Sequence, residues 1–567
     1  MNTSQIKSIL SWLDDHILLL LSGFLLVFIP LFPKIPLFSP IEQYIVRIRL
    51  EDLFVFGTSI IWFIQVLRKK ISWKLPISLV IVAYAITGAI SLITAVFVIN
   101  TIPLQPLHLG KSLLHYFRYL EYFSLFFILG TATRTKAHVR LLILIITTTL
   151  LCVGLYGIGQ KYYYWPVYST MNREFSKGIQ LYLTEHARVQ STFAGHYDLG
   201  AYLVVVLPLV LGAFFTTSRK LLKLLIGTSF VLGLWLLVVS ASRTSFVAAM
   251  IGVTILLLAQ SLHQKTLWKK ASWAISRLFF VYFIFSFLVF RFGDDIRERL
   301  LQAVDTDRQI RTAYIELNND RKEYFKQLMT QITGRENQTI VIIPKAQPPA
   351  GGVASDENGP IISSDTRPTP ARPEDVYVDV PDLVEIATIS ATGQSTTILV
   401  QRDRVFSDCA NEKGLSLCIR LETLWPKAIA GFMSDPLFGK GYATLNKDGV
   451  TQFTEAESTD NNFLRTLGET GLVGFITFYG VIAAGVWYAL KHYIKTDNFG
   501  KTLIVSYVAA SLGLLLNAVY IDVFAASKVA FMYWALTGIV VGYFHLEPAA
   551  ETAPATHSAL LKKRIKK

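Results

Sequence analysis

The sequence predicts an all-α polytopic membrane protein of about twelve transmembrane helices, with one large non-cytoplasmic loop that carries a small β-rich insertion. Three observations carry that prediction. First, of the 567 residues 52% are hydrophobic and 13% aromatic, only 17% are charged, and the mean hydropathy is +0.44, too apolar and too sparsely charged for a soluble globular chain. Second, apolar runs of near-spanning length recur along the chain. Third, Lys and Arg cluster in alternate connections between those runs. The net charge of +14 is spread over these clusters and forms no single patch, so nucleic acid is not an expected partner.

A bilayer core of about 30 Å takes roughly 20 apolar residues per helix. Such runs fall at 16–32, 52–67, 77–98, 113–130, 139–158, 196–215, 221–239, 244–262, 272–291, 470–490, 502–521 and 527–546. The first is followed by Pro33 and Pro36 and lacks a small-residue cleavage site, so it reads as a retained helix rather than a removed signal peptide. With a cytoplasmic amino terminus, the inner connections hold Arg68, Lys69, Lys70 and Lys74, then Arg134, Lys136 and Arg140, then Arg219, Lys220 and Lys223, then Lys265, Lys269 and Lys270, and last Lys491, Lys495 and Lys501. The tail LKKRIKK falls on the same side, as the positive-inside rule requires. Both termini are therefore expected in the cytoplasm.

The chain divides into a membrane bundle of nine helices (1–291, with an outer loop at 159–195), a large non-cytoplasmic loop (292–461), three last helices (462–546) and a basic tail (547–567). The large loop opens with an amphipathic stretch at 294–320. The short β-branched runs QTIVIIPK, LVEIATIS and STTILVQRDRVF follow and read as strands. The Pro- and Gly-rich stretch from Pro344 to Pro381 between them reads as a linker. The insertion at 335–405 is a candidate for governing acceptor choice. Of three cysteines, Cys152 lies in an apolar run, while Cys409 and Cys418 stand close together in the loop, as a disulfide or as two thiols.

Chemistry concentrates at the re-entry into the membrane, TDNNFLRTLGETGLVGF at 459–475, preceded by RLETLWPKAIAGFMSDPLFGKGYATL at 420–445. In the first stretch Asp460, Asn461 and Asn462 stand before a helix, where Asp460 taken alone is expected to cap orphan backbone N–H groups. In this order the two stretches resemble the carboxy-terminal signature of the O-antigen ligase/polymerase family. The matching residues are Arg420, Trp425, Pro436, Leu437, Gly439, Gly441, Asp460, Asn461, Leu464, Glu469, Gly471 and Gly474. RVQSTFAGHYDLGAYLVVVLPL at 188–209 and SASRTSF at 240–246 resemble the family's upstream Arg/Thr-Phe and Ser-Arg elements. The resemblance spans 188–475.

That resemblance implies a GT-C-like helical bundle at the inner (cytoplasmic) membrane. It would use an undecaprenyl-diphosphate-linked glycan as donor on the outer face and a glycan or lipid as acceptor. Guanidinium groups match phosphate oxygens bidentately, which makes Arg188, Arg243 and Arg420 the candidate diphosphate ligands. Arg243 sits in a short turn between apolar helices, facing either a polar cavity or the lipid headgroups. Transfer needs a base near the acceptor hydroxyl. Ligases of the family carry a His where this chain has Asp460, so Asp460 is the candidate base, with Asn461 and Glu469 supporting. His196 is a second candidate base, although a lone His at a helix entrance is ordinarily a cap or surface residue. The departure from His leaves a polymerase of the same family open beside a ligase.

Asp305-Thr306-Asp307 spells a DxD motif inside a charged amphipathic stretch and reads as a solvated face, so no metal is expected. Arg118 and Glu121, three apart on the fourth span, are spaced to pair. No nucleotide fingerprint is present, and no cofactor is expected. A transporter or flippase for lipid-linked glycans is the main rival from another class. A structural scaffold ranks behind both.

Overall fold

The computed structural model describes residues 3–171, 175–183, 187–293, 383–389, 395–401, 409, 415–454 and 456–546. It divides into two compact units, one of 1–297 with 423–567 and a smaller one of 298–422.

The larger unit is a bundle of long helices: α1 (Thr3–Leu31), α2 (Leu50–Leu67), α3 (Ser78–Phe97), α4 (Pro106–Ala132), α5 (Lys136–Tyr163), α6 (His196–Thr216), α7 (Lys220–Val239), α8 (Arg243–Ser261) and α9 (Leu267–Phe292). A two-stranded ribbon, β1 (Pro36–Phe38) with β2 (Ile48–Arg49), lies between α1 and α2. In the smaller unit β3 (Leu383–Ile389) and β4 (Ser395–Gln401) pair antiparallel, Leu383 opposite Gln401, a hairpin formed by two of the β-branched runs. That unit also holds α10 (Leu415–Ile419) and the Cys409–Cys418 disulfide, with 5.8 Å between Cα atoms, and a π-helical turn at Arg420–Leu424 begins at its end. In the larger unit the chain continues through α11 (Trp425–Ser434), α12 (Asn462–Lys491), α13 (Asn498–Asn517) and α14 (Ser527–Leu546). QTIVIIPK, the amphipathic stretch 294–320, the linker and Asp305-Thr306-Asp307 lie outside the described residues.

Local chemistry sets the helix starts. The side chains of Thr135, Thr266 and Asp497 accept from His138, Lys269 and Gly500 backbone N–H groups at the heads of α5, α9 and α13. Pro106 opens α4, where its missing N–H costs nothing. Eleven helices among the described residues are long and apolar enough to cross a membrane. The protein is therefore a polytopic, predominantly helical membrane protein.

The remaining long helix, α4, carries His108, Lys111, His115, Arg118 and Glu121. It packs most extensively against α14, whose spanning window is wholly buried. The two backbones meet at Gly130, Gly538 and Gly542. A Cβ at Gly542 would stand 2.2 Å from the Gly130 carbonyl oxygen, and one at Gly538 2.5 Å from that of Phe126. Small residues four apart permit this approach between membrane helices. Gly542→Leu is expected to cost about 3 kcal/mol through overpacking, read as a lower unfolding midpoint in detergent. Gly57→Ala, where a Cβ meets nothing within 4 Å, should leave that midpoint unchanged or raise it.

Candidate functional site

The two stretches that carry the family resemblance fold onto each other. At Gly471 α12 is broken, with φ 65° and ψ −168°, a backbone region that suits glycine. An unbroken helix would bond the Leu472 and Val473 N–H groups to the Gly468 and Glu469 carbonyls. Here the turn Pro436–Gly441 takes all four. Leu472 and Val473 donate to Pro436 and Leu437 carbonyls at 2.8 and 3.2 Å, while Lys440 and Gly441 donate to Gly468 and Glu469 carbonyls at 2.8 and 3.0 Å. A side chain at Gly471 would collide with Leu437 backbone at 2.3 Å. The α3 and α4 hydroxyls of Ser91 and Ser112 fix the assembly through the Glu469 and Tyr442 carbonyls at 2.9 Å each.

Side chains around the break form a buried ionic chain. Glu469 Oε1 accepts from Ala443 N–H at 3.1 Å. One helical turn earlier, Arg465 places Nε 3.4 Å from Glu469 Oε1 and donates through Nη1 to Asp522 Oδ2 at 3.0 Å. Asp522, between α13 and α14, also accepts from Thr459 and Asn461 N–H at 2.9 and 3.1 Å. Arg465 is 2% exposed, and its Nη2 is buried without a hydrogen-bond partner.

The cap of α12 is Asn461, whose side chain accepts from Leu464 N–H at 3.0 Å. Asp460, expected to cap on its own, does not: it is left-handed at φ 50°, one residue too early. It is half-buried, and its carboxylate accepts from Ser458 Oγ at 2.7 Å. Asp460 and Asn461 thus stand at the head of α12, and Glu469, two turns further along it, is linked to that head through Arg465 and Asp522.

Of the Arg candidates, Arg188 and Arg243 lie in the larger unit and Arg420 in the smaller one. Arg188 places Nη1 2.8 Å from His196 Nε2, against the head of α6. A guanidinium only donates, so that imidazole nitrogen presents its lone pair and His196 is neutral. Arg243 opens α8, exposed to the surroundings. Arg420 is buried. Trp425 packs on Tyr520 with ring centroids 6.0 Å apart.

Sequence reading missed a polar stripe along α4. Lys111 pairs with Glu457 at 2.6 Å and lies 5.0 Å from the ring centroids of Tyr44 and Phe453. His115 hydrogen-bonds the Tyr44 hydroxyl. Arg118 reaches Asp52 of α2 at 3.4 Å, and not Glu121, the partner its spacing suggested. Beyond it Lys34 joins Glu51 and Ser527, each at 2.5 Å. Lys528 donates to the Pro30, Phe32 and Thr192 carbonyls at 3.0, 2.7 and 2.7 Å. The spacing 108, 111, 115, 118 on an otherwise apolar helix was the available signal. Among the described residues no three His, Cys, Asp or Glu side chains converge to hold a metal ion.

The site thus belongs to a polytopic helical membrane protein with buried, paired charges around a broken helix. No protein-family model and no curated protein matches this sequence.

Replacing Arg465 by Met strands two buried carboxylates, which is expected to cost about 3 kcal/mol or more. The double variant Arg465→Met/Asp522→Asn should recover part of that loss in a detergent unfolding series, and strict additivity would contradict the coupling. A pH prediction rests on Lys447, whose Nζ lies 3.1 Å from His108 Nδ1. Burial, then neighbouring Lys111, push its ammonium down to about 8 from an ordinary 10.5. Between those values the unfolded chain binds more protons than the folded one, so stability rises with pH across that interval. The wild-type melting temperature should gain on that of Lys447→Gln between pH 8 and 10, and parallel curves would contradict the assignment.

Proposed function

We propose that the protein is a glycan transferase that moves an oligo- or polysaccharide from undecaprenyl diphosphate to an acceptor hydroxyl, as the resemblance to O-antigen ligases and polymerases implies. The observation that carries this reading is the interlock of the Pro436–Gly441 turn with the α12 break at Gly471. Two motifs recognised separately in the sequence are one physical unit, as parts of one site would be. In this reading the basic connections stay inside, as the positive-inside rule favours, which leaves this end of the bundle outside the cytoplasm and both termini inside the cell at the inner membrane.

In this reading the acceptor oxygen attacks the anomeric carbon, the bond from that carbon to the diphosphate oxygen breaks, and undecaprenyl diphosphate leaves with the electron pair. Asp460 takes the hydroxyl proton. Its half-buried carboxylate is nearer to that task than His196, whose Nε2 faces the Arg188 guanidinium. The Arg465 Nη2 donor and the exposed Arg243 guanidinium supply positive charge for the leaving phosphates. Arg420 keeps the same role from the resemblance.

The test is transfer of labelled glycan from undecaprenyl diphosphate in proteoliposomes, without added nucleotide or metal and with candidate acceptors. Wild type should release lipid diphosphate and extend an acceptor, whose identity separates ligase from polymerase. Asp460→Asn should lower the rate on the order of 10²-fold or more, with its unfolding midpoint retained. Passage of intact glycan lipid across the bilayer, with no transfer, would instead make the protein a flippase.

A further inference from the structure

A groove of about 970 Å³ runs along the outside of α7, away from the interlocked motifs. Leu155 and Tyr162 of α5 and Val231 and Trp235 of α7 form its walls, and Phe292 of α9 closes one end. The lining is aliphatic and aromatic except for Thr228 and, at the other end, Lys220 and Lys223. From Lys220 to Trp235 the helix rises about 22 Å at roughly 1.5 Å per residue, so the groove follows much of the thickness of a bilayer core of about 30 Å. Leu155 and Leu224 are exposed, which leaves the groove open to lipid.

The polar end is electrostatically incomplete. Arg219, the cap residue of α7, and Lys220, its first residue, are exposed. Lys223 is half-buried with its ammonium 4.7 Å over the Phe214 ring. No carboxylate among the described residues pairs with any of the three. They crowd the positive end of the helix dipole, where anions rather than cations are favoured. A basic connection alone satisfies the topology rule. That rule does not require two of the cations to form the mouth of an apolar groove.

We infer that this groove binds an anionic glycerophospholipid. Its phosphate lies against Lys220 and Lys223, completing the charge at the head of α7, and an acyl chain runs along α7 toward Trp235. The inference is independent of the transfer reaction, because the groove shares no residue with the motif assembly.

The experiment uses the full chain in phosphatidylcholine nanodiscs doped with brominated phosphatidylglycerol or brominated phosphatidylcholine. The reporter is the part of the tryptophan quenching that Trp235→Phe removes. Half-maximal quenching by the anionic lipid should come at a mole fraction roughly tenfold lower than for the zwitterionic one, given the attraction of two lysines for an anionic headgroup. Lys220→Gln/Lys223→Gln should abolish the difference. Equal quenching by the two lipids in wild type overturns the inference, as does a preference that survives the double variant. Should that variant fail to fold, competition in wild type decides. Unbrominated phosphatidylglycerol, and not phosphatidylcholine, should relieve the Trp235 quenching, and equal relief overturns the inference.

Discussion

A helix interrupted within a membrane-spanning segment must hand its orphaned backbone groups to other partners, because hydrocarbon offers none. At Gly471 the Pro436–Gly441 turn takes two carbonyls and two N–H groups that the break frees. Everything around the candidate site follows from this. The turn must enter the bundle to reach the break, so α3 and α4 must present hydroxyls rather than bulk to receive it. The break also sets the direction of the first part of α12, and with it the place where Arg465 meets Asp522.

Charge in the interior obeys a companion constraint. Buried ions persist when they are paired and hydrogen-bonded, and Lys34 with Glu51, Lys111 with Glu457, Arg118 with Asp52, and Arg465 with Asp522 all meet that condition. Three of them join elements remote in the chain, so the polar interior also specifies which helix ends meet. Arg465 Nη2, like Glu51 Oε2 and Asp52 Oδ1, is buried without a hydrogen-bond partner, a donor held in place by the network around it.

The helices themselves were legible because apolar runs of spanning length have few alternative fates. The tenth apolar run was placed at 470–490, within a final group of three helices read to begin at 462, and α12 begins at Asn462. Its first turns are polar by composition and are held by partners in the 518–524 region, such as the Ala518 carbonyl that accepts from Asn462 N–H at 2.8 Å. The triple Asp460-Asn461-Asn462 offered three caps of nearly equal preference, and only the backbone geometry selects Asn461. Arg118 pointed to Glu121 by spacing, yet pairs across helices. Ion pairs such as Lys34–Glu51, completed by a serine almost 500 residues away, leave no local mark in a single sequence. Arg465 did leave one, four residues before Glu469, but it read as an ordinary basic residue near a membrane boundary.

The pairing of α4 with α14 has a consequence for biogenesis. The fourth helix is too polar to count as a span on composition, and the last one barely qualifies, at a mean hydropathy of 1.2 with its window entirely enclosed. Each is suited to protein surroundings rather than to lipid, and each finds them chiefly in the other. Since α14 leaves the ribosome some 400 residues after α4, the early helices must shelter a polar, charged segment until the end of synthesis. Closure of the bundle is therefore a late event, governed by the final helix, and chains that terminate before it expose the interior of the candidate site to the membrane.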